Sequence, residues 1–340
     1  MKRILSLVLA LALTLGLAAC GGQPASETPD DSSVPASQPA PQEEYQARVG
    51  GLKGPTTLGM LKLIQDANAG AAQGDWQTQM FGSPSEVLPL ITKGELDLAA
   101  VPVNLAATLY NRTEGQIQVA AVNTLGVLYL VSTDDSVHTV EDLRGRTIYS
   151  SGKGTTPEYV LRALLEQNGL DPEQDVTLEF LSESTEVLAT LQASSAPAVA
   201  LLPQPFVTAA QMKVEGLQVA LDLTEEWNKV FQVPLLTGVL VVRREFAQQH
   251  PETVQAYLAE YEASIEYVNT HVEEAAQWAE EAGVVAKAPI AQKAIPHCNL
   301  AYMDGQEMKT IVASYLDVMF QQDAQSVGGA MPQDDFYYGA

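Results

Sequence analysis

The chain has 340 residues, with 18 Lys and Arg against 42 Asp and Glu, a formal net charge of −24. That balance argues against nucleic acid and anionic lipid surfaces as partners, because both are negative and are bound through basic patches. Of its two cysteines, Cys20 lies near the start and Cys298 stands alone in the rest of the chain, so no disulfide framework can staple a domain.

Taken in order, Lys2 and Arg3 precede an apolar stretch from Ile4 to Leu17, and Leu17-Ala18-Ala19-Cys20 closes it with small residues. This pattern predicts a signal peptide over residues 1–20, too short for a comfortable membrane span. Cys20 followed by Gly21-Gly22 resembles the lipobox of bacterial lipoproteins, which implies lipidation of Cys20 and a lipid anchor there. Residues 21–44 are rich in Pro, Ser, Ala, Gln and acids, and read as a disordered tether that cannot bury a core. The globular part then starts near Tyr45 and is long enough for two lobes.

Val49-Gly50-Gly51-Leu52 ends a short apolar strand, and Gly54-Pro55-Thr56-Thr57 opens a helix expected over residues 57–68. Leu58, Leu61 and Ile64 recur at helical steps there, and such a helix presents free N–H groups and a positive dipole end. Strands are expected at 77–81, 97–101 and 118–122, with short helices at 86–92 and 105–110. Strand–helix alternation with short connections predicts an α/β fold with mostly parallel sheets flanked by helices.

The same ingredients return about a hundred residues later. Thr147-Ile148-Tyr149 is a short strand, and Gly152-Lys153-Gly154-Thr155-Thr156-Pro157 opens a helix through Leu161, Leu164 and Leu165. Ser182 to Leu188 follows the strand at 176–181, as Ser83 to Leu88 follows the earlier one, and the strand at 198–202 ends in Pro203-Gln204-Pro205. Three junctions recurring in order predict two lobes of one design. Leu235 to Val242 is a strongly apolar strand, and helices are expected at 251–270, 272–282 and 306–320. Crossings placed at residues 123–132 and 233–241 divide the chain into lobe 1 (45–127 and 236–340) and lobe 2 (128–235), joined by a two-stranded hinge.

The order of these features resembles the solute-binding proteins of ABC importers, in the branch of nitrate, taurine, aliphatic-sulfonate and thiamine-pyrimidine binding proteins. The resemblance spans nearly the whole chain. Its carriers are the Gly-Pro-Thr-Thr loop, Gly94 to Ala99, Val140 to Ile148, Leu202 to Phe206 and the tail Gly328 to Tyr338. It implies two α/β lobes of the periplasmic binding protein-like II type, a ligand in the cleft, and hinge closure on binding. It further implies an extracytoplasmic, membrane-anchored monomer that takes a small-molecule ligand and delivers it to ABC permease subunits, without a cofactor.

Candidate ligand contacts are Gly54, Pro55 and Thr56 in lobe 1 and Gly154, Thr155 and Thr156 in lobe 2, where each threonine can equally be a helix cap. Ser83 and Asn104 carry the same ambiguity, Gln204 between two prolines is either a ligand contact or a surface turn, and Asn123 and Thr237 sit at the expected hinge. Glu183 would favour an amine or ring N–H donor. Paired helix N-termini suit a sulfonate, nitrate or taurine-like anion, although no cleft arginine is evident; amide and carboxylate contacts suit a thiamine-precursor pyrimidine.

Trp76, Trp227 and Trp278 read as core or edge residues. His297-Cys298 is expected to be a buried thiol beside a histidine rather than a metal pair, so no metal site is predicted. Nucleophile-elbow, zinc-helix and Walker patterns are missing from the sequence, and catalysis is not expected. The alternative is an enzyme on the same two-lobe scaffold acting on a pyrimidine-like molecule, with His297-Cys298 its one reactive pair.

Overall fold

The apolar run through Val49 forms β1 (Gln46–Leu52), the first strand of the computed structural model, which describes residues 45–340. The signal segment, Cys20 and the tether lie outside the described residues. After β1 come α1 (Pro55–Leu58), α2 (Leu61–Asn68), β2 (Asp75–Phe81), α3 (Pro84–Thr92), β3 (Leu98–Pro102), α4 (Val103–Arg112) and β4 (Ile117–Leu125). The next stretch holds β5 (Leu128–Ser132), β6 (Thr147–Ser151), α5 (Thr156–Gln167), β7 (Thr177–Leu181), α6 (Ser184–Ala193), β8 (Val199–Pro203), α7 (Phe206–Gln211), β9 (Gln218–Asp222) and α8 (Leu223–Val230). The chain closes with β10 (Leu236–Arg243), α9 (Arg244–Gln249), α10 (Pro251–Thr270), α11 (Val272–Glu281), α12 (Ala288–Ala294), β11 (Leu300–Met303) and α13 (Gly305–Gln322).

The strands form two sheets, ordered β11-β4-β10-β3-β1-β2 and β7-β6-β8-β5-β9. Leaving out β11, the orders are the same once β6, β7, β8, β5 and β9 are set against β1, β2, β3, β10 and β4. The pairing senses agree as well. β1 pairs parallel with β2 and β3, as β6 does with β7 and β8, while β10 and β5 run antiparallel to both their neighbours. Registers preserve the repeat: Val49 faces Leu98 as Ile148 faces Val199. Two similar lobes are therefore present, as the sequence predicts.

The sheets are mixed, with most strands of each in one direction: β1 to β4 run together against β10 and β11, and β6 to β9 run together against β5. Strands linked by a helix within one lobe return parallel. β5 and β10 instead arrive from the opposite lobe and enter in the other sense, each taking the fourth place in its sheet. β4 passes to β5 through Gly126-Val127, and α8 returns to β10 through residues 231–235, giving the two crossings of the hinge. Gln204 N–H donates to Val127 C=O (3.1 Å), and Asn299 Nδ2 to Gly126 C=O (2.5 Å), so the first crossing is held from both lobes. β3, β10 and β8 are buried along almost their whole length, as strands covered by helices on both faces must be.

The opening helix is not continuous. It breaks at Gly59-Met60, where Ser264 of α10 enters the hydrogen-bond ladder. Its hydroxyl donates to Gly59 C=O (2.7 Å) and accepts from Leu63 N–H (3.0 Å), the two groups that would otherwise bond each other in a longer helix. Ile265 packs against Gly59, where a Cβ would stand 2.6 Å from its side chain. α1 is left as a single turn with little macrodipole. Trp76 and Trp227 are buried in the cores and Trp278 stacks on Tyr267.

Candidate functional site

Strand–helix junctions of both lobes face one another across a cavity of about 550 Å³. Lobe 1 contributes Gly54-Pro55-Thr56 after β1, Gly82 and Pro84 around the start of α3, and Thr237 on β10. Lobe 2 contributes Gly152 and Thr155 to Pro157 at the start of α5, Ser182 to Thr185 at the start of α6, and Pro203, Pro205 and Phe206 around β8 and α7. The walls between these junctions are largely apolar, with Leu52, Leu128, Leu188, Val284 and Ile290 among them.

Hydrogen bonds separate the cavity's hydroxyls into two kinds. In lobe 2, Thr155 Oγ1 donates to Gly152 C=O (2.6 Å), Thr156 Oγ1 to Asn104 Oδ1 (3.1 Å), and the Ser151 and Ser184 hydroxyls bond each other (2.8 Å). In lobe 1, Thr56 Oγ1 and Thr237 Oγ1 are buried and find no partner among the described residues. Asn123 Nδ2, behind them, is also buried without a partner. The expected pair of equivalent loops is thus chemically asymmetric.

Asn104 ties the lobes together. It is fully buried, and its Nδ2 donates to Gly154 C=O (3.3 Å) and to Ser326 C=O (3.0 Å) while its Oδ1 takes the Thr156 proton. Tyr315 of α13 abuts Thr156, and burial pushes its phenol far above the ordinary range, so it stays neutral there. On another side Ile290 of α12 joins the lobe 2 core formed by Val187, Leu188, Val207 and Ala210. At the mouth, Glu183 reaches from lobe 2 over Gly82 of lobe 1, where a Cβ would stand 2.2 Å from its Oε1.

The four charged residues of the lining, Lys53, Lys213, Glu183 and Glu280, are exposed or half-buried, so charge sits at the rim. Glu183 occupies the N-cap of α6, where its negative charge meets the positive end of that helix. Histidine and cysteine do not line the cavity. Cys298 is fully buried in the lobe 1 core, its thiol donating to Ala294 C=O (3.2 Å) and held far above the usual thiol range by burial. His297 lines a different, more open depression beside Tyr129 and Gln204. Among the described residues no group of three His, Cys, Asp or Glu could hold a metal ion.

Of the residues expected to contact a ligand, Gly54, Pro55, Thr56, Thr155, Thr156, Glu183 and Thr237 line the cavity. Five do not. Ser83 closes a capping box with Glu86 at the start of α3, and Asn123 lies one layer beneath the floor. Asn104 and Gly154 are committed to the contact between lobes. Gln204 points its Oε1 at Thr208 N–H (3.2 Å) and hydroxyl (2.9 Å) and faces the more open depression instead, while its flanking prolines face the cavity. The sequence reading missed the α11–α12 connection, Gly283 to Ala286, together with Ile290. Its only local signal is Gly283 before an apolar pair, and nothing local places that turn over the cleft.

The profile of the menaquinone biosynthesis family matches residues 71–295. The chain belongs to that family. No curated protein matches this family member in sequence. Among solved structures it is similar to an ABC transporter from Parabacteroides distasonis, with 23% identity, 86% of this chain and 99% of that chain covered, and a TM-score of 0.71. It is also similar to the periplasmic aliphatic sulphonate binding protein SsuA from Escherichia coli (17% identity, 84% and 92% covered, TM-score 0.66). A third is the periplasmic nitrate-binding protein NrtA from Synechocystis PCC 6803 (12% identity, 86% and 92% covered, TM-score 0.61). At these identities the likeness establishes the fold, which is that of the periplasmic binding proteins.

Proposed function

We propose that the protein is the extracytoplasmic solute-binding lipoprotein of an ABC importer, anchored through Cys20, which closes its lobes on a small organic molecule and presents it to permease subunits as a monomer. The observation that carries this reading is the cavity itself, walled by matching strand–helix junctions of two lobes that the chain crosses twice. A ligand touching both walls stabilises the closed arrangement by its differential affinity for it. The named functions of SsuA and NrtA support the transport role. The cavity volume and apolar walls suit an organic body better than nitrate, and a cleft without arginine holds a sulfonate poorly. That leaves a ring-sized solute such as a thiamine-precursor pyrimidine, or an aromatic compound of the kind the family's description suggests.

A second reading is an enzyme on this scaffold acting on such a molecule, and the description of the family favours it. The pair it was expected to use, His297 and Cys298, lies away from the cavity, so it would have to draw on Glu183 or the lysines of the rim.

Differential scanning fluorimetry against sulfonates, pyrimidines, aromatic acids and their amides tests the proposal. One chemical class should stabilise, by about 2.7 kcal/mol at a hundred times its dissociation constant. Mass spectrometry of the same mixtures should show every compound unchanged. Turnover of any compound, with no stabilising ligand in the panel, replaces transport with catalysis.

A further inference from the structure

The cavity's charges and its unpartnered polar atoms lie at opposite ends. Lys53, Lys213, Glu183 and Glu280 stand at the solvent edge. The floor, on the lobe 1 side, is built from Thr56 (5% exposed) and Thr237 (6%), with Asn123 (1%) behind them. Each carries a buried polar atom without a partner among the described residues. The three residues are neighbours. A Cβ on Gly238 would stand 2.4 Å from Asn123 Oδ1 and 2.5 Å from Thr56 Cγ2, so both side chains converge on that glycine, next in β10 to Thr237. Burial holds the Tyr261 phenol neutral, and the Asn123 amide, lying against it, backs the floor from the protein side. Every group in the cluster is therefore uncharged.

Buried polar atoms in folded proteins are almost always hydrogen-bonded, and an unpaired one costs stability. Two of these atoms, Thr56 Oγ1 and Thr237 Oγ1, are on residues that line the ligand-sized cavity, where a polar group of a bound molecule can partner them. The lining hydroxyls of Thr155, Thr156, Ser151 and Ser184 are already committed elsewhere. A carboxylate or sulfonate set on the floor would lose its hydration and gain only neutral contacts, with α1 too short to add a useful dipole. A carbonyl, hydroxyl or amide there loses far less and can satisfy the floor.

Resting on the proposed role in solute capture, we propose that the Thr56–Thr237 floor, backed by Asn123, recognises an uncharged hydrogen-bonding head group, and that any charge on the ligand is carried toward the rim. The ligand class is a molecule with an apolar body and a neutral carbonyl, hydroxyl or amide at its buried end. This departs from the anion expected of paired helix N-termini.

The test extends the fluorimetry panel with 2-naphthamide and 2-naphthoate, which share a shape and differ by a charge, and reads all binders by calorimetry against wild type, Thr56→Val and Thr237→Val. Among binders, neutral-headed compounds should exceed their carboxylate isosteres at least tenfold. Each variant should cut the affinity of the tightest neutral binder about tenfold while leaving the apo melting temperature unchanged or raised, since valine replaces an unpartnered hydroxyl with a methyl of similar volume. A carboxylate that binds as tightly as its amide, or variants that leave the tightest affinity unchanged, overturns the neutral floor and leaves solute capture standing. A lowered apo melting temperature would also overturn it, by giving the hydroxyls a structural role. Binding of no compound in the panel removes the capture reading together with the floor.

Discussion

Replacing Asn104 by Ala deletes three hydrogen bonds at once, and they divide by lobe. The bond to Ser326 C=O lies within lobe 1 and survives any opening of the cleft. Those to Gly154 C=O and from Thr156 Oγ1 join lobe 1 to lobe 2 and exist only while the lobes touch. Buried bonds of this kind contribute a net ~0.5–1.5 kcal/mol each, so the two interlobe bonds bias closure by roughly 1–3 kcal/mol. Their loss should shift the closed-to-open ratio, and with it ligand affinity, by a factor of about 5 to 150. Small-angle scattering should report a larger mean radius of gyration for ligand-free Asn104→Ala than for wild type. Calorimetry should report an affinity weakened in proportion. A double-mutant cycle with Thr156→Val should show a coupling energy between the two positions. If the variant melts earlier yet keeps its radius and its affinity, Asn104 acts only within lobe 1 and the latch is refuted.

Asp97, just before β3, is buried and would be raised by burial alone, but hydrogen bonds from Arg48 side chain and backbone and from Arg243 hold its carboxyl below the usual range. A depressed folded-state value contributes stability that is fully present above the unfolded value, about 3.9, and is lost as pH falls through the folded one. Thermal stability should therefore drop on acidification below about pH 4, and Asp97→Asn should lose about 3 kcal/mol at pH 7 while flattening that acid limb, measured by urea unfolding. Gly238→Ala forces a methyl against Asn123 and Thr56, and should destabilise by about 1–3 kcal/mol in the same assay and abolish calorimetric binding. Cys298 should react with a thiol reagent at pH 8 only after unfolding. Cys298→Ser should leave ligand affinity unchanged, because the thiol lies in the lobe 1 core and not in the cavity.

The local sequence determined a great deal. Strand–helix alternation, the order of junctions at offsets near one hundred, and the apolar runs at Asp97 to Val101 and Leu235 to Val242 specify two α/β lobes, because hydrophobic periodicity and turn residues act over a few positions. The same local signals place Gly54 to Thr56 and Thr155-Thr156 at strand ends, hence at a cleft. They could not say which hydroxyls stay free. That depended on Asn104, fifty-two positions from Thr156, reaching across to take its proton. Nor could they show that Ser264, 201 positions from Leu63, would split the first helix and remove its dipole from the loop. The α11–α12 turn over the cavity and the neutral floor around Gly238 arise from packing between distant segments. Sequence spelled out the scaffold, because secondary structure is a local property. Tertiary contacts decided which polar atoms remained unpaired, because hydrogen-bond partners in a folded core are chosen by proximity in space.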